Sequence, residues 1–179
     1  FFRVPVDDLR AYPVLGEAVK QHVPEKLVVV APDAGFVKDA RRYATYLEAS
    51  LAIANKERKS HDESAEVLEI IGDVKGRTTL IVDDFTISSG TLVEAANRLK
   101  EEGAARVLAL VTHGVFAKGS MEKIDQSPIE RLFVTDSIET QPIELSPKIE
   151  VVSIAPLLGE AIRRIDKKES ISVLFPKGS

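Results

Sequence analysis

At 179 residues, 44% of them hydrophobic and 29% charged, the chain has the size and balance of one globular domain, or one domain with a small appendage. A net charge of −4 with no basic stripe argues against nucleic acid as a partner, and the absence of cysteine excludes disulfides, thiolate zinc sites and cysteine nucleophiles while fitting a reducing, cytoplasmic setting. No apolar run approaches the roughly 20 residues of a membrane-spanning helix, and no signal peptide is visible, so no membrane partner is expected.

Four unbroken apolar runs read as buried strands: Leu27–Ala31, Leu80–Val82, Val107–Val111 and Val151–Ile154. None alternates with polar residues, which predicts a parallel sheet covered on both faces. Helical stripes lie between them. Val37, Ala40, Ala44 and Leu47 form one; Leu92, Ala95, Ala96 and Leu99 form a second, stopped by Gly103. Leu157, Leu158, Ala161, Ile162 and Ile165 form a third, entered through Pro156. His22 is placed at the end of an earlier helix. Leu51–Asn55 and Arg131–Val134 are shorter strand candidates, and the charged stretch Lys56–Ser64 is expected to be a mobile loop between two hairpin-like strands. The alternation predicts an α/β fold, a parallel twisted sheet with helices on both faces and right-handed crossovers. The chain opens Phe1-Phe2 without an initiator Met, which we read as a piece of a longer protein, and 176–179 is expected to be a tail.

The most informative segment is Leu80–Thr91. An apolar strand runs into Asp83 and Asp84, then into the small hydroxyl-bearing turn Ser88, Ser89, Gly90 and Thr91, and a helix opens at once. Carboxylates accept hydrogen bonds from sugar hydroxyls or hold the water shell of Mg²⁺. The turn offers backbone N–H groups, hydroxyls and a positive helix end to an anion. Ribose 5-phosphate carries both complements. The plainer reading is a strand end, two solvated aspartates and a helix cap. Receiver domains also begin Val-Asp-Asp, but they need an acceptor Asp at a later strand end, where this chain has Val111-Thr112-His113. A second turn, Pro32-Asp33-Ala34-Gly35-Phe36, falls on the same sheet edge, with Asp33 as a candidate metal ligand and Gly35 allowing close approach to a phosphate. Lys56 and Arg58, two apart, could neutralise a transferring phosphoryl group or simply be a solvated charge run. His113 lies at a strand end on this edge, where a structural hydrogen bond is the expectation. No histidine spacing suggests a metal site.

Together these segments resemble the ribose-phosphate pyrophosphokinases, or PRPP synthetases. The resemblance runs through Phe1-Phe-Arg-Val-Pro-Val-Asp-Asp-Leu9, Val30-Ala-Pro-Asp-Ala-Gly35, Asn55-Lys-Glu-Arg58, Ile71-Gly-Asp-Val-Lys-Gly-Arg77, Val111-Thr-His-Gly-Val-Phe116, Val134-Thr-Asp-Ser-Ile138 and Glu169-Ser-Ile-Ser-Val-Leu-Phe175, in order. It implies a phosphoribosyltransferase-type fold with a flexible catalytic loop, divided as a connecting segment and first helix (1–25) and the C-terminal domain of the family (26–175), with the family's N-terminal half absent. It implies Mg²⁺-dependent transfer of diphosphate from ATP to ribose 5-phosphate in a homo-oligomeric full-length protein. By position, Ser88, Ser89, Gly90 and Thr91 would hold the 5-phosphate, and Asp83 and Asp84 the ribose hydroxyls. Asp33, Ala34 and Gly35 would bind pyrophosphate, Asp33 also Mg²⁺, and Lys56 and Arg58 would stabilise the transferring group. The chain departs from the pattern at Ile87, where many members carry an acid, and at Phe36, where they carry glycine. The missing acid argues against the runner-up, a purine or pyrimidine phosphoribosyltransferase. A non-catalytic regulatory homologue is a third reading, weakened because the phosphate turn is present. Alone, the chain is expected to make no PRPP.

Overall fold

The computed structural model describes residues 2–23, 26–58, 66–139 and 144–175, with side chains throughout except at 56–58, 66 and 67. Helix α1 (Tyr12–Lys20) precedes strand β1 (Leu27–Ala31), followed by α2 (Val37–Tyr46), β2 (Ser50–Arg58), β3 (Glu66–Ile71), β4 (Thr78–Thr86), α3 (Gly90–Glu101), β5 (Arg106–Gly114), α4 (Ser120–Gln126), β6 (Ile129–Thr135), β7 (Ile149–Val152) and α5 (Ala155–Asp166). The strands form one seven-stranded sheet in the order β3-β2-β1-β4-β5-β6-β7. Every neighbouring pair is parallel except β2 and β3, which are antiparallel.

The unbroken apolar runs do what their composition requires. All five residues of β1 are buried, as are Leu80–Val82 of β4 and Val107–Val111 of β5. Side chains alternate across the sheet, so each strand feeds two cores. Leu27, Val29, Leu80, Val82, Leu108, Leu110 and Phe133 pack with Leu15 and Val19 of α1 and Ala40, Tyr43 and Ala44 of α2. Val28, Val30, Ile81, Val107, Ala109, Val111 and Leu132 pack with Leu92, Ala95, Ala96 and Leu99 of α3 and Ile124 of α4 on the other face. Gly103 ends α3 as expected: its φ of +85° suits glycine, and the following Ala104 N–H reaches back to Leu99 O at 3.0 Å.

Three expectations change. The predicted strand Val151–Ile154 is displaced to Ile149–Val152, and Ile154 instead caps the start of α5. This strand is an edge rather than a doubly covered strand, with Val151 48% exposed. The apolar stripe of α5 is largely open, with Ile162 68% and Ile165 62% exposed and Ala161 its one buried residue. Lys56–Arg58 belong to β2, not to a loop: the β2–β3 ladder continues through Arg58↔Glu66. Cross-strand pairing outweighs the charge that argued for a loop. Residues 59–64, the rest of that stretch, lie outside the described residues. Among the described residues no helix is long and apolar enough to cross a membrane.

Candidate functional site

The strand order reverses around β1, whose successor β2 lies on one side while β4 lies on the other. Ligands of open α/β sheets bind in the crevice at such a point, outside the carboxyl ends of the strands. Here a cavity of about 630 Å³ opens at that edge. Asp33 and Gly35 enter from the turn after β1. Asp83, Asp84 and Ser88–Thr91 enter from the end of β4 and the start of α3. The two turns that the sequence singled out therefore meet in one space.

The acidic side is built within the strand itself. β4 runs through Thr86, and Asp83 pairs in register with Val111 of β5, so the carboxylates stand on regular backbone rather than on a loop. Asp83 Oδ1 accepts the Asp84 N–H at 2.9 Å, and Asp84 Oδ1 accepts the Phe85 N–H at 2.8 Å. Partial burial pushes the Asp83 carboxyl up to about 7; the Asp84 N–H opposes the shift, and the charges of Asp84 and Asp33 add to it. Asp33 is exposed, and its Oδ1 accepts the Phe36 N–H at 3.0 Å, tightening the first turn. A Cβ added at Gly35 would sit 3.1 Å from that same oxygen, so glycine keeps this turn low against the cavity. Ala34 lies in the same turn but does not line the cavity.

The hydroxyl-bearing side depends on one unusual residue. Ser89 adopts the left-handed conformation (φ 58°, ψ 7°) and is 2% exposed. That region is rare for residues other than glycine. It lets the chain pass from β4 into α3 through only three residues, Ile87–Ser89. Ser89 makes no side-chain cap to α3, and the Gly90 N–H at the start of the helix makes only a long contact to Ser88 Oγ, 3.4 Å. Helix N-terminal N–H groups in that state suit an anion.

Sequence reasoning missed Asp39, which also lines the cavity from α2 and is ion-paired with Arg42. A first-turn acid on a predicted helix reads as a helix-dipole residue, so nothing marked it. Phe36 and Ile87 line the cavity as well. His113 does not: its Nδ1 lies 2.7 Å from Ser137 Oγ, the structural bond expected of it. Lys56 and Arg58 sit on β2 beyond Ile53, the last residue in register with β1, which carries their backbone past the sheet edge on the cavity's side. Among the described residues no cluster of three or more His, Cys, Asp or Glu could hold a metal ion. Mg²⁺ keeps most of its waters and commonly uses one or two carboxylates plus ligand phosphates, so the hard oxygens of Asp33, Asp83 and Asp84 fit that ion without forming a closed cage.

A family model described as the phosphoribosyl synthetase-associated domain matches residues 64–176. The ribose-phosphate pyrophosphokinase of Thermosipho africanus is 46% identical over 177 residues, which cover 98% of this chain and 55% of that protein. The phosphoribosylpyrophosphate synthetase structure from Mycobacterium smegmatis matches with a TM-score of 0.85 at 33% identity, over 93% of this chain and 54% of that one. The orotate phosphoribosyltransferase structure from Aeropyrum pernix, 21% identical with a TM-score of 0.57 over 84% of this chain and 75% of that one, shares the fold alone. The sheet and its flanking helices define an α/β domain of the phosphoribosyltransferase type. Within that class the chain belongs to the ribose-phosphate pyrophosphokinase family. It spans about half the length of the curated relatives it matches.

Proposed function

We propose that this chain is the ribose-5-phosphate-binding half of a ribose-phosphate diphosphokinase. The observation that carries the reading is the acidic strand end facing a helix-opening turn across one cavity of about 630 Å³, in a chain of this family. Ser88–Thr91 bind the 5-phosphate through N–H and hydroxyl donors at the positive end of α3. Asp83 and Asp84 accept hydrogen bonds from the ribose hydroxyls and so fix the sugar's orientation. The O1 hydroxyl then attacks the β-phosphorus of ATP, the bond from that phosphorus to the α–β bridging oxygen breaks, AMP leaves and the O1 proton passes to solvent. When bound, Mg²⁺ neutralises charge on the transferring diphosphate. Asp33 would hold it or its water, and the Ala34–Gly35 backbone would receive the pyrophosphate. Lys56 and Arg58 supply cationic charge to the transferring group. Such transfer asks the protein for positioning and charge neutralisation rather than covalent chemistry.

Because the relatives are about twice as long, part of the ATP site lies outside this chain in the proposal, and 26–175 is the ribose-phosphate domain of a homo-oligomeric whole. Calorimetric titration tests it. Ribose 5-phosphate should bind, with ribose and inorganic phosphate each far weaker, and the chain alone should form no PRPP from ATP. Equal affinity for ribose and ribose 5-phosphate would remove the basis of the assignment. Base-dependent release of pyrophosphate from PRPP would favour a phosphoribosyltransferase instead.

A further inference from the structure

The carbonyls of Thr86, Ile87 and Ser88 are held by a single stretch of chain. Val115 N–H donates to Thr86 O at 3.0 Å, and Ala117 N–H donates to Ile87 O at 2.7 Å. Ser120 Oγ donates to the same Ile87 O at 2.9 Å, and Lys123 Nζ donates to Ser88 O at 3.3 Å. All four donors lie between the end of β5 and the middle of α4. None of the four residues lines the cavity, so this strap stands behind the turn as seen from the ligand space.

A trans peptide points its N–H opposite to its C=O. Anchoring the carbonyls of Thr86, Ile87 and Ser88 from behind therefore turns the N–H groups of Ile87, Ser88 and Ser89 forward. The strap is itself stiff. Phe116 holds a left-handed φ of 46° with its ring 2% exposed, and its ring covers Gly114 so closely that a Cβ there would lie 2.5 Å from it. Ser120 is 1% exposed at the first position of α4. A merely structural role explains the Ala117 bond, which already satisfies Ile87 O. The Ser120 hydroxyl is a second donor to an acceptor with two lone pairs. Lys123 is exposed and spends its ammonium on the back of the turn, where its charge also favours an anion in front.

We propose that Ser120 and Lys123 are positioning residues of the phosphate turn: they hold the Ile87 and Ser88 carbonyls away from the cavity, so that the Ser88 and Ser89 N–H groups stay aimed at a phosphate ester. The inference rests on the ribose-5-phosphate reading above. Neither residue touches the ligand.

The test compares the unaltered chain with S120A, K123M, K123R and the double variant S120A/K123M. Calorimetry gives Kd for ribose 5-phosphate, amide NMR follows Ser88 and Ser89 during titration with inorganic phosphate, and melts report the fold. The double variant should bind ribose 5-phosphate about tenfold more weakly, the size expected of losing one well-placed charged hydrogen bond. Its Ser88 and Ser89 amides should shift less on adding phosphate, its melt should stay close to that of the unaltered chain, and K123R should recover most of the Lys123 share. Unchanged Kd and amide shifts in K123M, whose exposed position leaves folding intact, and in the double variant would overturn the proposal while leaving the functional reading standing. Failure of the unaltered chain to bind ribose 5-phosphate would sink that reading, and this proposal with it.

Discussion

Asp83→Asn should stabilise the protein, and the gain should grow with pH. The Asp83 carboxyl is raised from 3.8 to about 7, first by burial and then by its acidic neighbours. At about 1.4 kcal/mol per tenfold change in proton affinity, the full difference would be about 4 kcal/mol. Asp83 is only half-buried, and solvent screening reduces the expressed part to roughly 1–2 kcal/mol. The sign follows from linkage. An acid that holds its proton more tightly in the folded state stabilises it fully below the unfolded value of 3.8, and that stability is lost as pH rises through about 7. Asparagine keeps an oxygen for the Asp84 N–H but never ionises. Subtracting the variant's stability from that of the unaltered chain cancels all other titrations. The difference should be near zero at low pH and reach roughly 1–2 kcal/mol in favour of Asn above pH 8, about 2–8 °C in Tm for a domain of this size. Urea denaturation at several pH values reads it directly, and calorimetry should show the same variant losing ribose 5-phosphate. A difference that stays constant or narrows between pH 5 and 8 would refute the view that burial of Asp83 is paid in stability for binding.

Gly114→Ala should destabilise the fold by about 1–3 kcal/mol, because its Cβ would meet Phe116 Cε2 at 2.5 Å and Val134 Cγ2 at 2.7 Å in a filled core; an unshifted urea midpoint would contradict this. Gly72→Ala should cost at least about 2 kcal/mol, since Gly72 has φ +132° and the new Cβ would lie 2.7 Å from Ala52 Cβ; a melt unchanged within error would show that β3 can shift away from β2. Lys148→Met should cost about 1–3 kcal/mol, because Lys148 Nζ donates to the carbonyls of Ile124 at 3.1 Å, Asp125 at 2.9 Å and Ser127 at 2.8 Å, closing the C-terminal end of α4. Amide exchange confined to α4 should quicken in that variant, and protection equal to that of the unaltered chain would argue that water replaces the ammonium without loss.

What the sequence disclosed follows from what each signal measures. Val28, Val30, Leu80, Val107 and their neighbours have no polar alternation, and only a sheet covered on both sides buries such runs. The segment from Asp83 to Thr91 stood out because carboxylates and a hydroxyl-bearing turn lie side by side in the chain, and the structure brings both to one cavity. The fate of α5 was not legible, since Leu158, Ile162 and Ile165 show that one side of the helix is apolar but not whether anything covers it. Ser89 was not legible as the left-handed residue, because a glycine next to it at position 90 is the usual occupant of that conformation. Helix α4, with seven residues and only Ile124 as a fully buried apolar anchor, leaves too little periodicity to detect, and the strap it supports was missed with it.

The pairing of β1 with β4 sets when the ligand space comes into being. Val28 lies opposite Thr79, 51 residues away in the chain, with α2 and the whole β2–β3 hairpin between them. Contacts so distant carry a loop-closure entropy cost that the strand pairing must offset. Neither turn makes a cavity until those two strands are side by side. Any ligand that spans the crevice binds only molecules whose central strands have already joined, and it draws the population toward them by mass action. Pulse-labelled amide exchange during refolding with and without ribose 5-phosphate would therefore time the closure of the sheet's centre, and saturating ligand should slow unfolding of β1 and β4 more than that of the β2–β3 hairpin.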